Sequence, residues 1–271
     1  MFSIPPLRFW LPNLFTLAST FCGILIIWLS ANATEAHEFY LAALLIPTAA
    51  VLDGFDGRVA RWVKGQSSFG VQLDSMSDLI SFGVAPGFLI YYWGLERIGI
   101  WGVVLAFVYT AGAMLRLARF NVQAETDGGL SRYFRGLPAP GAGMGVATLV
   151  CLDVRILGRD ELPEAAIPGV IVGTIVLALL MVSNMPFRTF KDLRRTPKNL
   201  AFVFSVMIAV AVVSIRYDVL VALSMVFTGY FFSSLAAALL SRGWRQMKSG
   251  AVILEEDLED TDEEEEIDHR L

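Results

Sequence analysis

Residues 39–93 read FYLAALLIPTAAVLDGFDGRVARWVKGQSSFGVQLDSMSDLISFGVAPGFLIYYW. An apolar run ends in Asp53 and Asp56. A short polar stretch follows, and a second apolar run opens around Asp74 and Asp78. Each run has about the 20 residues that carry a helix across a bilayer. The stretch therefore predicts two membrane-spanning helices, 39–63 and 72–93, joined by a loop of about ten residues. Helices joined so closely are expected to be antiparallel neighbours, with all four aspartates at one end of the pair.

The rest of the chain extends this pattern. Of its 271 residues, 55% are hydrophobic and 17% charged, against about 25% charged in soluble domains. That excludes a disordered chain and an ordinary soluble enzyme. Further apolar runs at 11–31, 97–119, 140–158, 166–185, 199–215 and 217–241 bring the expectation to about eight spans. The predicted fold class is an all-α polytopic transmembrane helix bundle. Residues 1–248 form the membrane domain, and residues 249–271 form an acidic tail too charged to bury and expected to be disordered. Arg8, the first run and Ala31-Asn32-Ala33 imitate a cleavable signal. The run exceeds the usual 7–15 residues of such a core, so it reads as a span.

Charge sets the orientation. With the N-terminus inside, 17 of the 21 Lys and Arg fall in cytoplasmic segments, and only Arg97, Arg155, Arg159 and Arg216 lie outside. The net charge of −5 comes from the tail, where Glu255–Asp268 carry 11 of the 26 acids. The body is mildly basic. Its basic residues sit in short loops rather than on one face, so a nucleic-acid partner is not expected. Cys22 and Cys151 lie in apolar runs and read as core residues. The expected setting is the plasma membrane, with both termini and the site cytoplasmic.

Charged groups in a span cost about 2.5–3.5 kcal/mol each on insertion scales, so four aspartates within residues 53–78 need compensation. Asp53 and Asp56 are three apart and share a helix face, while Asp74 and Asp78 are four apart and share another. Converging carboxylates repel unless protonated or bound to cations, and hard divalent cations prefer such ligands. Two such ions could share the site, a geometry suited to displacement at phosphorus. Gly57 leaves room for a ligand beside the backbone, and Ala60 avoids a bulky side chain one turn beyond Asp56. Arg61 can pair with a phosphate, Ser67 offers a hydroxyl, and Gly70 permits a tight turn.

These residues resemble the signature of the CDP-alcohol phosphotransferase family, D-x2-D-G-x2-A-R-x8-G-x3-D-x3-D. Asp53, Asp56, Gly57, Ala60, Arg61, Gly70, Asp74 and Asp78 fill every fixed position. Other stretches are similar to the integral-membrane phosphatidylserine synthase branch. They are Pro12-Asn13-Leu14-Phe15-Thr16, Ser81-Phe82-Gly83-Val84-Ala85-Pro86, Arg116-Leu117-Ala118-Arg119-Phe120-Asn121 and Phe134-Arg135-Gly136-Leu137-Pro138-Ala139-Pro140. Met181-Val182-Ser183 with Phe190-Lys191 is a weaker likeness.

The resemblance implies transfer of a phosphatidyl group from CDP-diacylglycerol to L-serine, releasing CMP. It also implies two divalent cations, Mg²⁺ or Mn²⁺. Asp53, Asp56 and Asp74 would hold one, and Asp53, Asp74 and Asp78 the other. Gly57, Arg61 and Ser67 would contact the CDP-diacylglycerol head group, and Asp78 would take the proton of the serine hydroxyl.

Asn13 and Thr16 are candidates to line the nucleotide site, with helix capping as the alternative. Arg116, Arg119 and Arg135 are candidates for serine carboxylate or lipid phosphate, or for anchoring the spans. Asn121 is a candidate substrate ligand or helix cap. The pairs Gly141/Gly145 and Gly169/Gly173 allow close helix packing, within the chain or against a second copy as a homodimer. Rival readings are a family member using glycerol 3-phosphate, inositol phosphate or an amino-alcohol, and a divalent-cation transporter. In a cation pathway, Gly57, Ala60 and Arg61 would have no task. His37 and His269 begin no H-x-K-x4-D pattern, so a phospholipase-D-like route is unsupported.

Overall fold

A computed structural model describes residues 7–63, 65, 67–126, 134–183, 186–187, 221–222, 225–226 and 228–229. Expectations for the spans 199–215 and 217–241 fall almost wholly outside these residues, and those for the tail 249–271 wholly so.

The described residues are helical apart from one two-residue antiparallel ladder. Helix α1 is Leu7–Ala31 and α2 is Ala36–Trp62. Helix α3 runs Ser68–Ile98 without a break in span, including π turns at Leu79–Val84 and Tyr91–Leu95. Then come α4 (Ile100–Thr126), α5 (Ala139–Cys151, continued by a π turn Leu152–Ile156) and α6 (Ile167–Val182). Strands β1 (Phe134–Arg135) and β2 (Pro186–Phe187) form the ladder. Stretches within α1, α2, α3 and α4, and Glu164–Val182, are long and apolar enough to cross a membrane. The chain is an integral membrane protein.

Outward faces are apolar, as lipid requires: Phe21, Trp28, Phe107 and Leu179 are exposed. The core lies between helices, with Ile26, Ile46, Phe82, Leu89, Tyr109, Val146 and Met181 buried. Cys22 and Cys151 are buried free thiols, as expected. Of the glycine pairs, Gly145 faces Leu177, while a side chain at Gly169 would meet nothing within 4 Å. A side chain at Gly173 would meet Leu149 at 4.0 Å, so one glycine of each pair lies at the crossing of α5 and α6.

The polar loop is shorter than its composition suggests. Helix α3 begins at Ser68, because the Ser67 Oγ accepts the Gly70 N–H at 3.0 Å and so caps the first turn. Gly70 therefore sits inside the helix rather than in a turn before it. A side chain there would press on Ser67 Oγ at 3.2 Å and Asn13 Oδ1 at 3.5 Å, so close approach requires the glycine. The π turn after Asp78 has a local cause. Pro86 offers no N–H to the Phe82 carbonyl four residues back. The buried Tyr109 hydroxyl donates to that carbonyl at 3.2 Å, and Thr110 Oγ1 donates to the Gly83 carbonyl at 3.3 Å.

The two aspartate-bearing helices are neighbours, as expected, but they meet mainly beyond the aspartates, along Leu79–Val84 and Ala85–Ile90 of α3. Helix α2 and the start of α3 touch through few residues, and both lie against α1. The first helix is the wall that brings the two acidic pairs together.

Candidate metal and substrate site

Asp53 and Asp56 come from the last turns of α2, and Asp74 and Asp78 from the first turns of α3. Each of Asp53, Asp56 and Asp74 offers a carboxylate oxygen within 4.8 Å of the others. Asp78 stands beside Asp53 within side-chain hydrogen-bonding reach, and its Oδ1 is buried without a partner. Among the described residues, no Lys or Arg lies in ion-pair contact with any of the four. Carboxylates this close, without cationic side chains at ion-pair distance, fit a hard divalent cation, whose oxygen ligands lie at about 2.0–2.6 Å.

Hydroxyl groups of α1 orient this cluster. Asp56 is only 7% exposed, and the Thr16 Oγ1 donates to its Oδ2 at 2.7 Å. The Ser77 Oγ, on α3 between Asp74 and Asp78, donates to the Thr16 carbonyl at 2.9 Å. Thr20 Oγ1 lies 2.8 Å from Ser77 Oγ. One turn along, Ser19 Oγ donates to the Ala49 carbonyl at 3.2 Å, and Ser81 Oγ donates to the Ser19 carbonyl at 2.9 Å. Sequence reasoning missed Ser19, Thr20, Ser77 and Ser81. Their signal was hydroxyl spacing: 16, 19 and 20 on one helix, 77 and 81 on the other, each set on one face.

The remaining candidates divide by position. Gly57 is exposed, and a side chain at either Gly54 or Gly57 would meet nothing within 4 Å. Packing does not require these glycines, and the space beside the aspartates is open. Arg61 is exposed in the last turn of α2, one turn beyond Gly57. Asn13 lies next to Gly70 and Ser67 at the same end. Arg116 is buried on α4 with its charge directed on Asp78, and its Nε lacks a partner.

Arg119 and Asn121 have structural bonds. The Arg119 guanidinium donates to the carbonyls of Val182 at 2.9 Å and Ser183 at 3.0 Å, closing the end of α6. Gly136, at φ 84°, lies under that guanidinium, where a side chain would stand 2.7 Å from Arg119 Nη2. Asn121 Nδ2 donates to Ser75 Oγ at 3.1 Å, joining α4 to α3 beside Asp74. Arg135 pairs by backbone with Pro186 in the ladder.

The site is a helical membrane bundle's cluster of carboxylates that could hold a metal ion, beside an open glycine face. The CDP-alcohol phosphatidyltransferase family model matches residues 9–231, and the chain belongs to that family. A CDP-diacylglycerol–serine O-phosphatidyltransferase of Helicobacter pylori is 35% identical over 205 residues, covering 76% of this chain and 81% of the relative. One of Bacillus subtilis is 34% identical over 182 residues, covering 67% and 92%. One of Saccharomyces cerevisiae is 37% identical over 111 residues, covering 39% and 37%.

Proposed function

We propose that this protein transfers the phosphatidyl group of CDP-diacylglycerol to L-serine, giving phosphatidylserine and CMP. The observation that carries the reading is the convergence of Asp53, Asp56, Asp74 and Asp78 beside the open face at Gly54 and Gly57. It occurs in a chain whose relatives carry that activity in their names.

Asp53, Asp56 and Asp74 would hold one divalent cation, and Asp78 with Asp53 and Asp74 a second, Mg²⁺ or Mn²⁺. Cations held there would supply positive charge against the pyrophosphate and the departing CMP. The chain's own residues do the rest. Gly57 leaves the head group room against the backbone, and Arg61 and Ser67 bind its phosphate and hydroxyl groups. Asp78 takes the proton of the serine hydroxyl as its oxygen bonds to the lipid-bearing phosphorus and the bond to CMP breaks. Arg116, buried beside Asp78, is placed to receive the serine carboxylate.

The membrane domain crosses eight times. Its aspartate end and both termini are cytoplasmic, following the placement of 17 of 21 Lys and Arg. Serine arrives from water and the lipid from the bilayer, and a site at that border serves both.

The test uses purified protein in lipid-containing micelles with CDP-diacylglycerol and Mg²⁺ or Mn²⁺. Serine, glycerol 3-phosphate and inositol phosphate are offered separately while CMP release is followed. Serine-dependent release that EDTA stops is the expected result. Release with another acceptor alone overturns the substrate, and no release from folded protein with any acceptor overturns the enzyme reading.

A further inference from the structure

The two acidic helices meet the first helix more closely than each other; Thr16 and Ser19 of α1 each bond to both, and of these Thr16 bonds to an aspartate. The Thr16 side chain donates to Asp56 on α2 at 2.7 Å. Its carbonyl accepts from Ser77 on α3 at 2.9 Å. Thr16 is 3% exposed and Ser77 2%, so neither bond competes with water.

The hydroxyl bond has a second consequence. It occupies one oxygen of Asp56, Oδ2, and so restricts which lone pairs that carboxylate can present to the cluster. Without the bond, Asp56 would turn freely beside carboxylates that repel it.

We propose that Thr16 is a positioning residue of the cation site: it aims Asp56 and fixes the separation of the two carboxylate pairs, rather than binding nucleotide. The proposal rests on the aspartates holding a divalent cation. Groups that orient metal ligands change metal affinity by about 10–100-fold when removed. A methyl group in place of the hydroxyl keeps the volume and the carbonyl bond but frees Asp56.

The experiment measures Mn²⁺ binding alone, by its electron paramagnetic resonance signal, on the full chain in lipid micelles. Thr16→Val is expected to weaken binding about 10–100-fold, and Thr16→Ser to restore it. Ser77→Ala removes the other arm and is expected to weaken binding less, which keeps the test decisive if the valine variant fails to fold. In turnover, raising Mn²⁺ is expected to overcome the Thr16→Val defect, with the KM for CDP-diacylglycerol at saturating Mn²⁺ unmoved. Wild-type Mn²⁺ affinity in folded Thr16→Val overturns the proposal. A raised KM for CDP-diacylglycerol at saturating Mn²⁺ also overturns it, by returning Thr16 to the substrate. A wild-type chain that binds no Mn²⁺ overturns the metal site itself, a different failure from either.

Discussion

The two ends of the bundle handle buried acid in opposite ways. At the end opposite the aspartates, Ala33–Phe39, Tyr92–Arg97 and Asp153–Leu162 contribute to the wall of a cavity of about 250 Å³. Asp153 is met by Arg159 at 3.1 Å. Arg97 is met by Glu161 at 3.2 Å and donates to the Leu162 carbonyl at 2.7 Å. The Glu38 carboxylate accepts the backbone N–H groups of Thr34 and Glu35, closing a capping box on α2. About 20 Å away along α2, at 1.5 Å per residue, the four aspartates meet one another and the Thr16 hydroxyl, and among the described residues no Lys or Arg lies at ion-pair distance from them. A protein that neutralises its own charges is building structure. One that gathers like charges and leaves a glycine-lined gap beside them is leaving the neutralisation to something it binds.

The sharpest way to break this contrast is to remove one carboxylate from the cluster. Asp78→Asn is expected to lower CMP release by about a thousandfold or more, since on the proposed mechanism it removes the proton acceptor. The variant should insert and fold, because among the described residues no Lys or Arg lies at ion-pair distance from Asp78; the buried Arg116 loses only the longer-range charge of that carboxylate. Added Mn²⁺ should raise the thermal midpoint of the wild type by mass action. It should raise that of Asp78→Asn less, and that of Asp53→Asn hardly at all, because Asp53 belongs to both sets of ligands. Near-normal turnover in Asp78→Asn would remove it as the base.

Glycines sharpen the comparison at a smaller scale. Gly57→Ala meets no atom within 4 Å. It removes a helix-interior glycine, so it should stabilise the fold by up to about 1 kcal/mol. On the proposed mechanism it should nevertheless lower turnover, because the space it fills is where the head group would lie. Gly102→Ala, near the opposite end, should do the reverse. Its side chain would run into the Leu95 carbonyl oxygen, a backbone atom that cannot swing aside. Overpacking of this kind costs about 1–3 kcal/mol. Thermal unfolding and CMP release per folded molecule separate the two effects, and a Gly57→Ala enzyme with full turnover would make that open face incidental.

The sequence exposed the acids and hid their supports, for a physical reason. Asp53, Asp56, Asp74 and Asp78 stand out because charge in an apolar run is costly, and their spacing of three and four fixes a shared face. Thr16, Ser19, Thr20, Ser77 and Ser81 do not stand out, since a hydroxyl in a span can always bond to its own helix. Thr48 and Thr174 do just that, to the carbonyls of Leu44 and Val170. Whether a hydroxyl instead crosses to another helix depends on which helix lies beside it. Here α1, which lies against both α2 and α3, decides this. Arg119 and Asn121 were equally ambiguous, because an end-of-span polar residue serves a substrate or a neighbouring helix equally well. Their bonds to the end of α6 and to Ser75 are fixed by packing that no local spacing encodes.

The smallest effect tests whether the two ends are independent. Asp153→Asn deletes the acid of a pair in which the acid is buried and the arginine is not: the side chains are 7% and 42% exposed. Deleting one partner of a fully buried pair costs several kcal/mol because the other charge is stranded. Arg159 is not stranded, since its guanidinium can turn into water, so the loss should be about 1 kcal/mol or less. The amide that replaces the carboxylate can still accept from Arg159, which reduces the loss further. A slightly lower thermal midpoint with unchanged CMP release per folded molecule is therefore expected. A fall in turnover approaching that of Asp78→Asn would mean that strain at the far end reaches the aspartates through α2 or α3, and that the division between structural and functional acids is wrong.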